Sequence, residues 1–183
     1  MEKRVSIISN FAIAGLLLVL GLAVFTTDLN RVFVTVSAPI SSGNQNKASV
    51  SFMINVSNSS SNKDDEKGLS GGNTTENIIA IKEILQDRGM HATFFVNGAW
   101  AMGNVNLVQS LNAAGHELGN KAFTTNNFRR LSTERQKKEI QGTHMAVSQI
   151  SGINMNLFLP PNGNFDRNTL RAAESLNHTT VIW

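Results

Sequence analysis

The chain has 183 residues, 41% of them hydrophobic and only 16% charged, with 16 Lys+Arg against 13 Asp+Glu. That length suits one domain with an appendage, and the composition excludes collagen-like, coiled-coil and wholly disordered chains. No Cys is present. Its absence removes disulfides, thiolate zinc sites and Cys nucleophiles but leaves the compartment open, since exported proteins also do without Cys. A formal net charge of +3 is too small a surplus to argue for nucleic acid as a partner.

Val5 to Thr27 form a run of 23 residues without a charge, behind Lys3 and Arg4; about 20 such residues span a bilayer core. Thirteen of them are Val, Ile, Leu or Phe, worth about −4 to −8 kcal/mol on insertion before Ser6, Ser9 and Asn10 reduce it. Basic residues ahead of the run hold that end in the cytoplasm. Residues 1–27 are therefore read as a cytoplasmic tip and a transmembrane signal anchor. The rest of the chain is then extracytoplasmic, on a cell membrane crossed once. A cleaved signal peptide is the alternative. Its apolar core would be long, and the small-x-small pattern comes only far downstream, at Val36-Ser37-Ala38.

Arg31–Ser37 alternates as a short strand, and Ser41-Ser42-Gly43-Asn44-Gln45-Asn46 reads as a flexible linker. Residues 28–46 thus form a strand and linker ahead of a domain spanning 47–183. Val50, Phe52, Ile54 and Val56 alternate as a strand, and a Ser/Asn/Gly-rich stretch follows. Asn73 and Glu76 then open a helix that buries Ile78, Ile81 and Leu85. Ala92–Val96 is a dense β run, Leu107, Val108, Leu111 and Ala114 keep helical spacing until Gly115, and His116–Leu118 is a short strand. Ser132 caps a long helix carrying Ile140, Val147 and Ile150 that ends at Gly152, and Asp166 caps another carrying Leu170, Ala173 and Leu176. Thr179–Trp183 reads as the last strand. Strands alternating with helices predict an α/β unit with a parallel sheet.

Three phrases between these elements carry a resemblance. They are His91-Ala92-Thr93-Phe94-Phe95-Val96-Asn97-Gly98-Ala99-Trp100, Gly115-His116-Glu117-Leu118-Gly119-Asn120 and Leu157-Phe158-Leu159-Pro160-Pro161-Asn162-Gly163. In that order they resemble the polysaccharide deacetylases, the NodB-homology domain of carbohydrate esterase family 4. The nearest kind of relative suggested is the membrane-anchored deacetylase-like protein of spore-forming bacteria. The resemblance implies a distorted (β/α) barrel with zinc or another divalent metal at the C-terminal ends of its strands, removing acetyl groups from a sugar polymer. It also implies further strands beyond Trp183, so the barrel within 47–183 is expected to be incomplete, lacking its C-terminal part and leaving an open edge at the last strand.

The chemistry of such a site needs a metal held by about three protein ligands, a base and an oxyanion donor. Members of the family end the first strand in Thr-Phe-Asp-Asp-Gly, and the run matched to it is Ser51-Phe52-Met53-Ile54-Asn55. Met53 then stands for the base and Ile54 for a metal ligand. The His-Ser/Thr-x-x-His phrase becomes Lys121-Ala122-Phe123-Thr124-Thr125, so Lys121 and Thr125 stand for the two imidazoles. Leu159 replaces the Arg that orients the base, and Asn162 a Tyr, in Leu159-Pro160-Pro161-Asn162-Gly163. None of these side chains offers the donors zinc requires, so no cofactor is expected. Met53 and Leu159 read as a paired apolar replacement of a buried ion pair, a change that is often neutral or stabilising.

Trp100, Pro160, Pro161 and Asn162 are candidates for lining a sugar groove. His116, His91, His144 and His178 read as structural histidines, and the cluster of Lys121, Arg129, Arg130, Arg135, Lys137 and Lys138 as a largely solvated face. The expected function is a membrane-anchored, catalytically inactive deacetylase-like protein that binds a cell-wall or spore-cortex glycan or scaffolds a protein partner at the envelope. The alternative is an active metal-dependent deacetylase of an N-acetylglucosamine polymer. Asp64 and Asp65, in the loop after the first strand, are the only carboxylates placed to rescue it.

Overall fold

A computed structural model describes residues 36–44, 46–56 and 74–183. The 5–27 run, most of the strand read at Arg31–Ser37, and Asp64 and Asp65 lie outside the described residues. Among the described residues no helix is long and apolar enough to cross a membrane.

Five strands form one sheet: β1 Met53–Val56, β2 Thr93–Val96, β3 Glu117–Asn120, β4 Leu157–Phe158 and β5 Thr179–Thr180. All pair in parallel, and their spatial order is their chain order. Among the described residues five helices separate them: α1 Thr74–Asp87, α2 Gly98–Gly103, α3 Val105–Ala113, α4 Thr133–Ser151 and α5 Arg167–Glu174. Sequential order has no switch point, and right-handed crossovers put every helix on the same face. This is the winding of a barrel arc rather than of a doubly wound sheet.

Local chemistry explains the boundaries. Ser132 accepts the Arg135 N–H at the start of α4, and Gly152 ends it at φ +73°, where a Cβ would be strained. Asp166 and Thr169 cap α5 reciprocally. Helix α2 is the element that apolar spacing did not reveal. It is one short turn-and-a-half started by Asn97, whose side chain accepts the Trp100 N–H at 3.0 Å.

Successive strand residues face opposite ways, and the two faces pack differently. On the helical face Val56, Phe94, Val96 and Leu118 join Ile78, Leu85, Trp100, Val108 and Leu111 in the main core. A second group, Phe128, Ile140, Phe158 and Ala172, fills the space under α4 and α5. The apolar cluster on the other face, among the described residues, is Phe95, Leu159 and Val181, with Leu157 against them. Gly119 makes that small layer fit, because a Cβ there would lie 2.4 Å from the Phe95 ring.

The expectation of an open edge at the last strand is corrected in part. Ile40 bridges Val181 in parallel. Its N–H donates to the Thr180 carbonyl at 2.8 Å, and its carbonyl accepts from Ile182 at 2.9 Å. Ser37 also donates to Glu174 on α5 at 3.1 Å. Part of the 28–46 segment read as strand and linker is therefore bonded to the sheet and to α5. Its polar composition suits a chain lying along an exposed edge as well as a free one.

Candidate functional site

In a sheet wound this way, reactive groups gather where the strands end. At that rim β1 finishes with Asn55 and Val56, paired with Phe95 and Val96, and β3 with Asn120, paired with Val96 and Phe158. Lys121 extends β3 by one bond, its N–H donating to the Val96 carbonyl at 3.0 Å, and Leu159 donates to the Asn120 carbonyl at 2.8 Å. Asn120 fixes the turn beyond. Its buried amide donates to the Ile140 carbonyl at 2.8 Å and its oxygen accepts the Ala122 N–H at 2.9 Å, holding Ala122 at φ +63°.

This geometry corrects the placement of the first-strand candidates. Met53 begins β1 opposite Thr93, and Ile54 follows it; both stand short of the rim. The two residues that end the strand are Asn55 and Val56, because hydrogen-bonded register, not likeness to the Ser51-Phe52 phrase, decides where the rim falls. An amide and an alkyl group therefore end the first strand. Met53 is also no partner of Leu159. The first is 40% exposed on an edge strand, whereas Leu159 is buried against Phe95 and Val181, three strands away.

Trp100 is corrected too. It is 2% exposed within the main core, and its indole N–H has no partner among the described residues. An aromatic residue in an Asn-capped turn after a strand packs inward here rather than onto a ligand. Pro160 and Pro161 are likewise buried, and Asn162 and Gly163 of that turn are exposed. Asn162 stands at φ +55° beside Gly163 at φ +67°, a pair of left-handed residues that Asn and Gly tolerate best. Lys121 and Thr125 do lie in the loop that leaves the rim, the first half-buried and the second exposed. Burial holds the Lys121 ammonium below its usual pKa. The aromatic residue that element-by-element reading passed over is Trp183, 65% exposed beside Gly163. Being assigned to a strand concealed it.

The other titratable groups are engaged in packing. His116 is buried, and its Nδ1 accepts the Ala92 N–H at 3.3 Å; burial first, then His91 and Lys82, lowers its pKa. His178 is buried beside His144, with ring centroids 5.3 Å apart, and burial is the main cause of its lowered pKa. Glu139, a buried carboxylate, accepts from the Thr124 N–H and hydroxyl at 2.8 and 2.9 Å. Glu117 accepts from Thr93 at 2.7 Å at the opposite end of the sheet. Of the basic cluster, Arg135 meets Glu139 at 3.6 Å and Lys137 meets Glu134 at 3.5 Å. A cavity of about 600 Å³ is lined by α1, α3 and the Gly103–Asn104 joint and by no strand residue.

A divalent cation at the rim would find an amide, an alkyl group, an ammonium and a hydroxyl. Zinc needs imidazole or carboxylate lone pairs, and the ammonium repels it. The described residues do not fit the ion, and among them no three His, Asp or Glu converge to hold a metal.

The winding and the rim define an α/β barrel-type domain. The polysaccharide deacetylase family model matches residues 64–181, and the chain belongs to that family. It is 31% identical to YlxY of Bacillus subtilis over 145 residues, which is 79% of this chain and 41% of that protein. It is 27% identical over 104 residues to the peptidoglycan-N-acetylmuramic acid deacetylase PdaA of the same organism, 56% of this chain and 40% of that one. The chain thus spans about two-fifths of the length of these relatives. Among solved structures it resembles a family CE4 pseudoenzyme from Bacillus anthracis, with 28% identity, a TM-score of 0.68, and coverage of 80% of this chain and 47% of that one. A mutant of that pseudoenzyme with restored enzymatic activity matches with 27% identity, a TM-score of 0.69, and coverage of 80% and 48%.

Proposed function

We propose that this protein is a catalytically silent member of the polysaccharide deacetylase family that binds an envelope glycan. The observation that carries the reading is the strand-end rim, where Asn55, Val56, Lys121 and Leu159 occupy positions at which hydrolysis would need carboxylates, imidazoles and an orienting cation. Neither a metal-bound nucleophile nor a general base can be assembled from them. Likeness to a CE4 pseudoenzyme supports the reading, as does the intact packing beneath the rim. A fold maintained without its reaction keeps its concave face for recognition.

The 23-residue apolar run behind Lys3 and Arg4 supports a single-pass anchor with residues 28–46 as a tether and 47–183 outside the cytoplasm. The relative PdaA, named for peptidoglycan, supports a wall or cortex glycan as the bound polymer. An active deacetylase is the alternative, and it would need Asp64 or Asp65 at the rim.

Incubating the purified full chain with peptidoglycan and with an N-acetylglucosamine polymer separates the two. Silent binding predicts co-sedimentation with the insoluble glycan and no acetate above a no-protein control. Steady release of acetate, abolished by a chelator, would overturn it.

A further inference from the structure

Asn followed by Gly is the dipeptide most open to attack by its own backbone, because no side chain on the glycine hinders the approach of its nitrogen. The sequence contains this pair twice, at Asn97-Gly98 and at Asn162-Gly163. Both follow strand ends, yet their surroundings differ. Asn97 is 2% exposed, donates to the Phe123 carbonyl at 2.8 Å and accepts the Trp100 N–H at 3.0 Å. The Gly98 N–H donates to the Ala122 carbonyl at 3.1 Å, and a Cβ on Gly98 would lie 2.5 Å from the Phe123 ring. Side-chain amide and backbone nitrogen are both committed there, and freeing them means dismantling the start of α2.

Asn162 and Gly163 belong instead to an exposed turn after β4. Two backbone bonds hold it, from the Gly163 N–H to the Pro160 carbonyl at 3.1 Å and from the Asn164 N–H to the Pro161 carbonyl at 3.0 Å. Neither reaches beyond the turn, so a local opening is enough to free the Gly163 nitrogen. Asn162 also stands at φ +55°, a conformation unfavourable to any residue with a Cβ, which lowers the cost of that opening. Asn177 shares the exposure and, at φ +57°, the left-handed backbone. It precedes the buried His178, however, whose side chain crowds the attacking nitrogen and whose N–H donates to the Ala173 carbonyl at 2.9 Å.

We propose that Asn162 is a site of spontaneous deamidation, at which the side-chain amide is slowly converted to a carboxylate. The Gly163 nitrogen gives up its proton and attacks Cγ of Asn162. A new C–N bond closes a five-membered succinimide, the bond from Cγ to the side-chain nitrogen breaks, and ammonia leaves with the proton. Water then adds to one of the two imide carbonyls, leaving either aspartate or a β-linked isoaspartate in place of the asparagine. Nothing is oxidised or reduced, and water is the only co-reactant. Each event takes one unit from the formal net charge of +3 and places a negative group in the turn that follows β4. The inference is independent of the glycan-binding reading.

The full chain in detergent micelles, aged in mildly alkaline buffer beside a sample unfolded in urea, would be followed by ion-exchange chromatography and peptide mass mapping. The folded protein is expected to accumulate a more acidic form whose added mass, that of exchanging NH2 for OH, maps to the peptide holding Asn162. Its rate should exceed that at Asn97 by about tenfold or more, a ratio set by the free energy of opening each site. In urea the two rates should converge, and Asn162→Gln should remove the acidic form from the folded sample. Equal rates at Asn97 and Asn162 in the folded protein would overturn the proposal. So would an Asn162 peptide left unchanged after the urea sample has reacted, or a gap between the two sites that persists in urea.

Discussion

Gly119→Ala tests how the face beneath the rim is packed. The Phe95 ring crosses over Gly119 to meet Leu159 and Val181, and an added Cβ would lie 2.4 Å from Cδ1 and 2.5 Å from Cε1. Ordinary contact needs about 1 Å more, and a fully buried ring with neighbours behind it has nowhere to go. Such overpacking costs about 1–3 kcal/mol, which for a domain of this size lowers Tm by about 4–10 °C. Phe95→Leu alone should cost about 1 kcal/mol. In the double variant the smaller side chain accepts the new methyl, so the losses should fall short of additive by about 1 kcal/mol or more. Chemical unfolding of the four proteins followed by near-ultraviolet dichroism measures the cycle. Strict additivity, or a Gly119→Ala protein as stable as its parent, would refute the packing described.

Stability should also fall in acid. His116 and His178 have pKa values below the ordinary 6.5, so below that pH the unfolded chain binds more protons and folding weakens as pH drops; urea midpoints at pH 7.5 and 5.5 should differ in that direction, and a flat profile would contradict the burial of both rings. Ser132→Ala removes the oxygen that accepts the Arg135 N–H and should lower stability by about 1 kcal/mol, read as a shifted denaturant midpoint with unchanged slope. Trp100→Ala should cost about 3–5 kcal/mol while leaving the sugar affinity of the folded fraction unchanged. Lost glycan affinity without lost stability would restore Trp100 to the site.

The fold was legible because each element carried redundant local signals. Ser132, Gly152 and Asp166 mark helix ends by backbone chemistry that needs no partner, and the apolar spacing of Ile78, Leu85, Val108 and Leu111 marks the faces that the core then buries. Helix α2 escaped because six residues are too few for periodicity to register, and its start depends on an Asn97 side-chain bond. The strand-end positions were not legible from phrases alone. Matching Met53 and Ile54 by phrase misplaced the rim by two residues, since only hydrogen-bonded register fixes where a strand ends. Trp100 and Trp183 are both aromatic residues following strands, and nothing local distinguishes the one that packs inward from the one that stays exposed. The bridge from Ile40 to Val181 spans most of the chain, and no local pattern encodes such a contact.

The central claim is that the strand ends offer no seat for a catalytic cation. Elemental analysis of the full chain, dialysed against zinc, cobalt or manganese and then freed of loose ions by gel filtration, examines it without reference to any substrate. The account predicts far less than one equivalent of each metal. One tightly held equivalent, lost on replacing Asp64 or Asp65 with Asn, would contradict it.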